Sequence, residues 1–505
     1  MPRLLALLTL AASVEAGVIQ GVVIEQASGR PLSRTIVRLE AVPGGSTVAV
    51  VPMNVRTGRS GQFTFPSMPP GLYLLKVVRQ GYFPAAYGQR LPTGRGTPIE
   101  VTPDSKLFAE IRVRRKGALT GVVQDENGIA APGVQVVAYR ARMPLRSAGL
   151  ATSDDRGVYR IHGLDPGKYW VRSAAHTLED GTGWLPTYSP QGYETRDARI
   201  HRVTVDAETA YADITPNFGA LLRLGGTVIC DKNVPVTVVV SSETGRRSTQ
   251  TGCGGGYRFE GLAPANYEVF ATLQDGTLAS FVELYLSGNM DGLNVSLQPT
   301  PTVEFEVRRS GSNAFANIPY KVVGRRQDMA ETEAEQEIKG SRISLAPGHW
   351  EFRAAQVPAG QYVESIGNPF SGGGRRARLE SASDWFDVLI EPRGTQRIRV
   401  VVSDRAGRIN GKVLQDGKGV PAAPVFLWPI AESARRSIGG RYLLLLTDVE
   451  GRFNFDSLPP GEYRMLASFD VDELDEDLIE LSRPVVVRTE AGQTASVDLS
   501  VWAAP

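Results

Sequence analysis

Residues 447–463, TDVEGRFNFDSLPPGEY, constrain the fold more than any other stretch of the chain. Gly451 opens a run in which Phe453 and Phe455 alternate with Arg452 and Asn454. A two-residue period sets both rings on one face of a β-strand, and that face has to be buried. Pro459, Pro460 and Gly461 then turn the chain, Pro by presetting φ and Gly by supplying the positive φ of a tight turn. Tyr463 opens the next strand.

The device recurs upstream. It appears as Gly61-Gln62-Phe63-Thr64-Phe65 with Pro69-Pro70-Gly71-Leu72-Tyr73, and as Gly157-Val158-Tyr159-Arg160-Ile161 with Asp165-Pro166-Gly167-Lys168-Tyr169. Gly256-Tyr257-Arg258-Phe259 with Pro264-Ala265-Asn266-Tyr267 is a third copy, in which Asn266 is read as standing where the others have Gly, since Asn tolerates the left-handed region. Arg342-Ile343-Ser344-Leu345 with Pro347-Gly348-His349-Trp350 is the weakest. Five copies at a spacing of roughly 80 to 110 residues imply tandem folding units.

A chain of 505 residues is too long for one core, and 54 Gly with 33 Pro suits many short strands joined by turns. The expected organisation is a leader at 1–16 and five β-sandwich units at 17–113, 114–217, 218–299, 300–401 and 402–505, the fourth being the most diverged. In the first unit, Gly21-Val22-Val23-Ile24 and Thr35-Ile36-Val37-Arg38-Leu39 are expected as two strands of one antiparallel sheet, joined by the turn at Ser28-Gly29-Arg30-Pro31. About seven strands per unit predict an all-β, immunoglobulin-like sandwich. The repeated Tyr beside the turn has two readings: a corner residue whose hydroxyl satisfies a nearby backbone group, or plain core packing. Only residues 329–338 (MAETEAEQEI) suggest a helix, and they read equally as an exposed insertion.

At the N-terminus, Met1-Pro2-Arg3 is basic, Leu4 begins a short apolar run and Ala16 is small, as in a secretory signal peptide cleaved after Ala16. The run is too short to span a bilayer, and no later stretch of about 20 apolar residues exists. The chain is therefore expected outside the cytoplasm: periplasmic, cell-surface or secreted. Export makes a disulfide between Cys230 and Cys253, the only cysteines, the expected state. A net charge of +1 recommends neither nucleic acid nor an anionic membrane as partner.

In the second unit the order G-x-V-x-D, P-x-V, S-D-x-x-G-x-Y and L-x-P-G-x-Y is carried by Gly121, Asp125, Pro132, Val134, Ser153, Asp154, Gly157, Tyr159, Leu164, Pro166, Gly167 and Tyr169. It resembles the carboxypeptidase regulatory-like domain, the transthyretin-like or prealbumin-like sandwich classed with the carbohydrate-binding-like fold and related to collagen-adhesin B-type domains. The fifth unit matches as well, the first clearly, the third partly, and the fourth only around Leu345-Ala346-Pro347-Gly348. These residues are scaffold, so the resemblance implies a fold and not an activity.

Peptidases with such domains carry catalysis in a separate zinc domain, and the four histidines here, His162, His176, His201 and His349, include no matching pair. No catalytic residue, cofactor or metal site is expected. The isopeptide crosslink of collagen-adhesin domains is not expected either: Lys116 and Lys412 lie near first strands, but the matching last strands offer no Asn. The acidic run at 470–480 (DVDELDEDLIE) is the best calcium candidate, although a solvated loop is the preferred reading. The long loops of the first two units carry Tyr82, Phe83, Tyr87, Trp184, Tyr188 and Tyr193. These rings either contact a ligand, such as a sugar, or pin their loops to their own unit. The functional expectation is a non-enzymatic secreted binding or structural protein of the cell envelope, with carbohydrate or an envelope protein as partner. The alternative is an accessory module that positions a separate hydrolase or outer-membrane transport partner.

Overall fold

A computed structural model describes residues 16–504 except 47–49, 93, 143–144, 179–181, 233, 243–244, 313–320, 328–334, 369–383, 472–473 and 475. The leader expected at 1–16 lies, but for Ala16, outside the described residues. The fold is tandem all-β sandwiches. The five largest hydrophobic clusters follow one another along the chain, drawn from residues 19–113, 119–214, 222–297, 303–402 and 409–499.

Each unit is built on one plan. Its first strand lies centrally, antiparallel to the aromatic strand and parallel to a strand near the unit's C-terminal end. In the first unit these are Gly17–Glu25, Gln62–Met68 and Lys106–Arg115; in the fourth, Thr302–Arg309, Arg342–Ser344 and Thr395–Ser403. The facing sheet centres on Ile36–Ser46 in the first unit and Pro424–Pro429 in the fifth, flanked by Gly71–Val78 and Gly461–Ala467 respectively. Phe63, Phe65, Phe453 and Phe455 are buried as the alternation requires. A one-residue bulge in the aromatic strand, between Phe65 and Met68 opposite Gly17 and Ile19 and between Phe455 and Leu458 opposite Gly407 and Ile409, then breaks the alternation. This bulge turns Met68 and Leu458 into the core three residues after the second aromatic.

The motif residues have separate physical tasks. Tyr73, Tyr169, Tyr267 and Tyr463 each donate their hydroxyl to the carbonyl four residues back, at Pro69 (2.8 Å), Asp165 (2.7 Å), Ala263 (2.9 Å) and Pro459. In the fourth unit the Trp350 indole N–H does the same to Ala346 (2.8 Å). The corner reading therefore holds, and the rings are core residues as well. The hydroxyl before the Asp-containing turn is buried and bridges the unit: Thr447 Oγ1 donates to Val420 O (2.7 Å) and accepts from Ala423 N (2.8 Å). Ser153 does so between Ala131 O (2.7 Å) and Val134 N (2.9 Å). The following carboxylates, Asp154 and Asp448, each accept two backbone N–H groups of their own turn. Gly157 and Gly451 sit at φ +72° and +77°, where a Cβ would also strike backbone.

Three expectations are corrected. Residues 21–24 and 35–39 are not neighbours in one sheet, because the turn at 28–31 carries the chain from one sheet to the other. The glycine before the corner Tyr corresponds to Ala265, not Asn266: the strand Ala265–Leu273 begins there as the others begin at Gly71, Gly167 and Gly461. Neither Ala265 nor Asn266 has positive φ, whereas Gly71, Gly167, Gly348 and Gly461 have φ of 158°, 150°, 127° and 159°, so the third unit makes this turn with a different backbone conformation, one that an L-residue adopts. Of the stretch at 329–338, residues 329–334 lie outside the description, and Gln336–Glu337 is a strand paired with Lys321–Arg326. Helices form instead at Glu432–Ile438 and Glu476–Ser482.

Cys230 and Cys253 are disulfide-bonded across a separation of 23 residues, a closure worth about 3 kcal/mol on a chain-entropy account. Successive units abut without long linkers. Arg115 N donates to Asp206 Oδ1 (2.7 Å) at the first junction, and Gly360 N to Ser457 Oγ (3.2 Å) at the last. The first and fifth units also meet: Arg95 N donates to Phe469 O (2.7 Å), Arg90 lies 3.5 Å from Asp470, and Val42, Leu72 and Leu74 pack on Ala422 and Leu446. The five units thus close on themselves rather than forming an open rod.

Thr447→Val keeps the side-chain shape but leaves Val420 O and Ala423 N without their partner. It is expected to cost about 2–4 kcal/mol, read as faster hydrogen exchange in Arg452–Leu458 and Pro424–Pro429. Thr277→Val at an exposed turn should stay within about 0.5 kcal/mol.

Candidate functional site

The loop rings expected as ligand contacts are largely anchored, and they do not converge on one site. Tyr82 donates to Glu25 Oε1 (2.9 Å), with the Arg79 and Arg115 guanidiniums 5.4 and 5.9 Å from its ring centre. Phe83 is half-buried in a two-residue strand against Arg114. Tyr87 packs on the first unit's core, and its backbone bonds Leu75 and Thr97. This loop continues to Arg90 and Arg95 at the contact with the fifth unit.

Glu25, Tyr82 and Arg115 form the strongest electrostatic arrangement of that end. Glu25 is buried and accepts from Arg115 Nε (2.6 Å), from Ser28 and from Tyr82. The Arg115 guanidinium, then the Ser28 hydroxyl, hold its carboxyl down at about 2, against the opposing effect of burial. Because Arg115 ends the first unit's last strand and also bonds Asp206, the cluster ties the first two units together.

In the second unit Tyr188 is buried under the Arg172 guanidinium, 5.3 Å from its ring centre, and Tyr193 is exposed. Trp184 behaves differently. It lies on the middle strand of a small three-stranded sheet, directly opposite His176 on one side and Phe218 on the other. Directly opposed residues share a sheet face, so three rings form a row across it. His176 stacks on Trp184 at 5.6 Å and 22°, Trp184 is half-buried against the unit's core, and Phe218 is 56% exposed. Phe218 carried no motif signal, since only strand pairing brings it to Trp184.

The remaining chemistry-bearing residues are dispersed. His201 is buried, with Nε2 3.1 Å from Ser189 Oγ, and burial followed by Arg199 lowers its proton affinity. His162 is exposed on its strand. In the acidic run, Asp470 is buried, pairs with Arg90 and accepts from Ala504 N (3.0 Å), while residues 476–480 belong to a helix. Lys116 pairs with Asp165 at 2.7 Å. His349 does meet acids, Glu283 at 3.3 Å across the junction of the third and fourth units and Asp387 of its own unit at 3.5 Å. The linear sequence held no signal for that cluster, whose members come from two units.

Comparisons with known proteins agree with the motif reading. Residues 18–104 match the carboxypeptidase regulatory-like domain, so the first unit bears out the resemblance. No curated protein matches the chain. Among solved structures, the minor pilin GBS52 of Streptococcus agalactiae is 14% identical with a TM-score of 0.25, covering 40% of this chain and 97% of its own. The shaft pilin SpaA of Lactobacillus rhamnosus GG is 13% identical with a TM-score of 0.23, covering 40% and 98%. The Bacillus anthracis TIE protein is 11% identical with a TM-score of 0.17, covering 78% and 70%. Similarity at this level transfers no function.

The depressed Glu25 carboxyl makes a signed prediction. Its stabilising effect is complete above the ordinary value of 4.5 and is lost as the pH falls towards about 2. Glu25→Gln should therefore lower hydrogen-exchange protection of Gly17–Glu25 and Lys106–Arg115 at neutral pH. The difference from the unsubstituted protein should close as the pH drops from 4.5 to about 2.

Proposed function

We propose that the protein is a non-enzymatic, extracytoplasmic binding scaffold. In this reading the closed set of five sandwiches presents the ring row of the second unit to a carbohydrate or to a cell-envelope partner. The observation that carries it is the alignment of His176, Trp184 and Phe218 across one small sheet, with the outermost ring open to solvent. Flat rings in a row offer apolar faces to a sugar ring while leaving its hydroxyls free to hydrogen-bond elsewhere. The disulfide supports an oxidising compartment, and among the described residues no helix is long and apolar enough to cross a membrane. The order of the five cores supports unit boundaries near 113, 217, 299 and 401, the fourth core running one residue further, to Val402.

Full-length protein on a glycan array and in pull-downs from envelope extracts tests the proposal. Phe218→Ala removes an exposed ring and Trp184→Ala the half-buried one, and both should reduce the signal at least tenfold. Tyr285→Ala, on an exposed face of the third unit, should leave it unchanged. Glycan-array signal identifies a carbohydrate, and signal confined to extracts identifies an envelope protein. No signal in either format, or signal indifferent to both ring substitutions, contradicts the reading.

A further inference from the structure

The geometry points to a divalent transition-metal site, with zinc as the fitting ion, formed by Glu268 and Glu283 of the third unit and His349 of the fourth. One ligand atom from each of these residues lies within 4.8 Å of the others. Glu268 and Glu283 are direct cross-strand partners on Ala265–Leu273 and Leu278–Leu286. Like charges held opposite one another destabilise a sheet unless a cation lies between them. His349 enters from the strand Gly348–Gln356 of the next unit, with Nε2 3.3 Å from Glu283 Oε1. That spacing is close to the edge of a tetrahedron of ligands about 2.1 Å from zinc, about 3.4 Å.

The second ring nitrogen completes the pattern. His349 Nδ1 lies 3.5 Å from Asp387 Oδ1, within ion-pair range but without hydrogen-bond geometry in this state. A carboxylate behind the distal nitrogen is the arrangement that orients a metal-bound imidazole and raises its basicity. Glu268, Glu283 and Asp387 all face the imidazole and favour positive charge there. The Phe281 ring, 6.1 Å from the imidazole and edge-on, forms an apolar wall. An imidazole with two carboxylates suits zinc or a neighbouring transition metal better than calcium, which takes oxygen ligands.

Burial alone would depress the His349 proton affinity, but Asp387, followed by Glu268 and Glu283, outweighs it and raises it. The same acids that hold a proton there would hold a metal, and metal binding displaces that proton. Zinc would fasten the third unit to the fourth, stabilising the pair by an amount that grows with the logarithm of its concentration over its dissociation constant.

The test uses the full chain, free of any histidine tag and stripped with chelator, titrated calorimetrically with zinc chloride and by absorption with cobalt(II). The expected result is one equivalent bound, with the visible ligand-field bands of four-coordinate cobalt. His349→Ala and Glu283→Gln should abolish saturable binding, and Asp387→Asn should weaken it about 10- to 100-fold. His162→Ala, on an exposed strand, should bind as the unsubstituted protein does. Glu283 is 44% exposed, so its substitution decides the matter even if the His349 variant fails to fold. Absence of saturable binding, or binding that survives Glu283→Gln, overturns the inference.

Discussion

A ring N–H or O–H donated to a carbonyl four residues back is the contact on which the architecture depends. It satisfies a carbonyl in the turn between the two sheets while the ring fills the space between them, so one side chain fixes both the turn and the core. Tyr73, Tyr169, Tyr267 and Tyr463 make it through a hydroxyl and Trp350 through an indole. Its net worth is about 1 kcal/mol, but the position decides its importance: the facing sheet begins at that turn. Preservation of the geometry with a different donor in the fourth unit indicates that the bond, and not the Tyr side chain as such, is the constraint.

The all-β class and the sandwich plan were legible because strand alternation and turn chemistry are local. Phe453, Phe455 and the residues 459–461 needed no tertiary information to be read. The assignment of residues 21–24 and 35–39 to one sheet failed because the hydroxyl that bridges the unit lies far along the chain: Thr57, 25 residues after Leu32, donates to its carbonyl. The misplaced Asn266 has a local cause. The other units hold glycine there at positive φ, but the residue in register is Ala265, whose φ is not positive, so the third unit needs neither Gly nor Asn at this turn. The two short helices were missed because seven residues carry too few turns for a helical period to show.

Function was harder to read for the same reason. The loop rings were visible as residues, but whether a ring faces solvent or its own unit depends on partners elsewhere. Glu25 and Arg115 claim Tyr82, while Arg172 covers Tyr188. Trp184 gains meaning only beside His176 and Phe218, which strand pairing brings to it from either side. The junction of the third and fourth units, and the contact of the first with the fifth, likewise join residues with no sequence relation. Such junctions set the angle at which each sandwich meets the next, and so where the ring row is presented.

If the ring-to-carbonyl corner organises each sandwich separately, disturbing one corner must be felt in one unit. Hydrogen exchange followed by mass spectrometry on the full chain carrying Tyr169→Phe measures this directly. The account predicts faster exchange in Val158–Leu164 and Gly167–Ser173, with the fourth and fifth units unchanged. Loss of protection spread evenly over all five units, or none within the second, would contradict it.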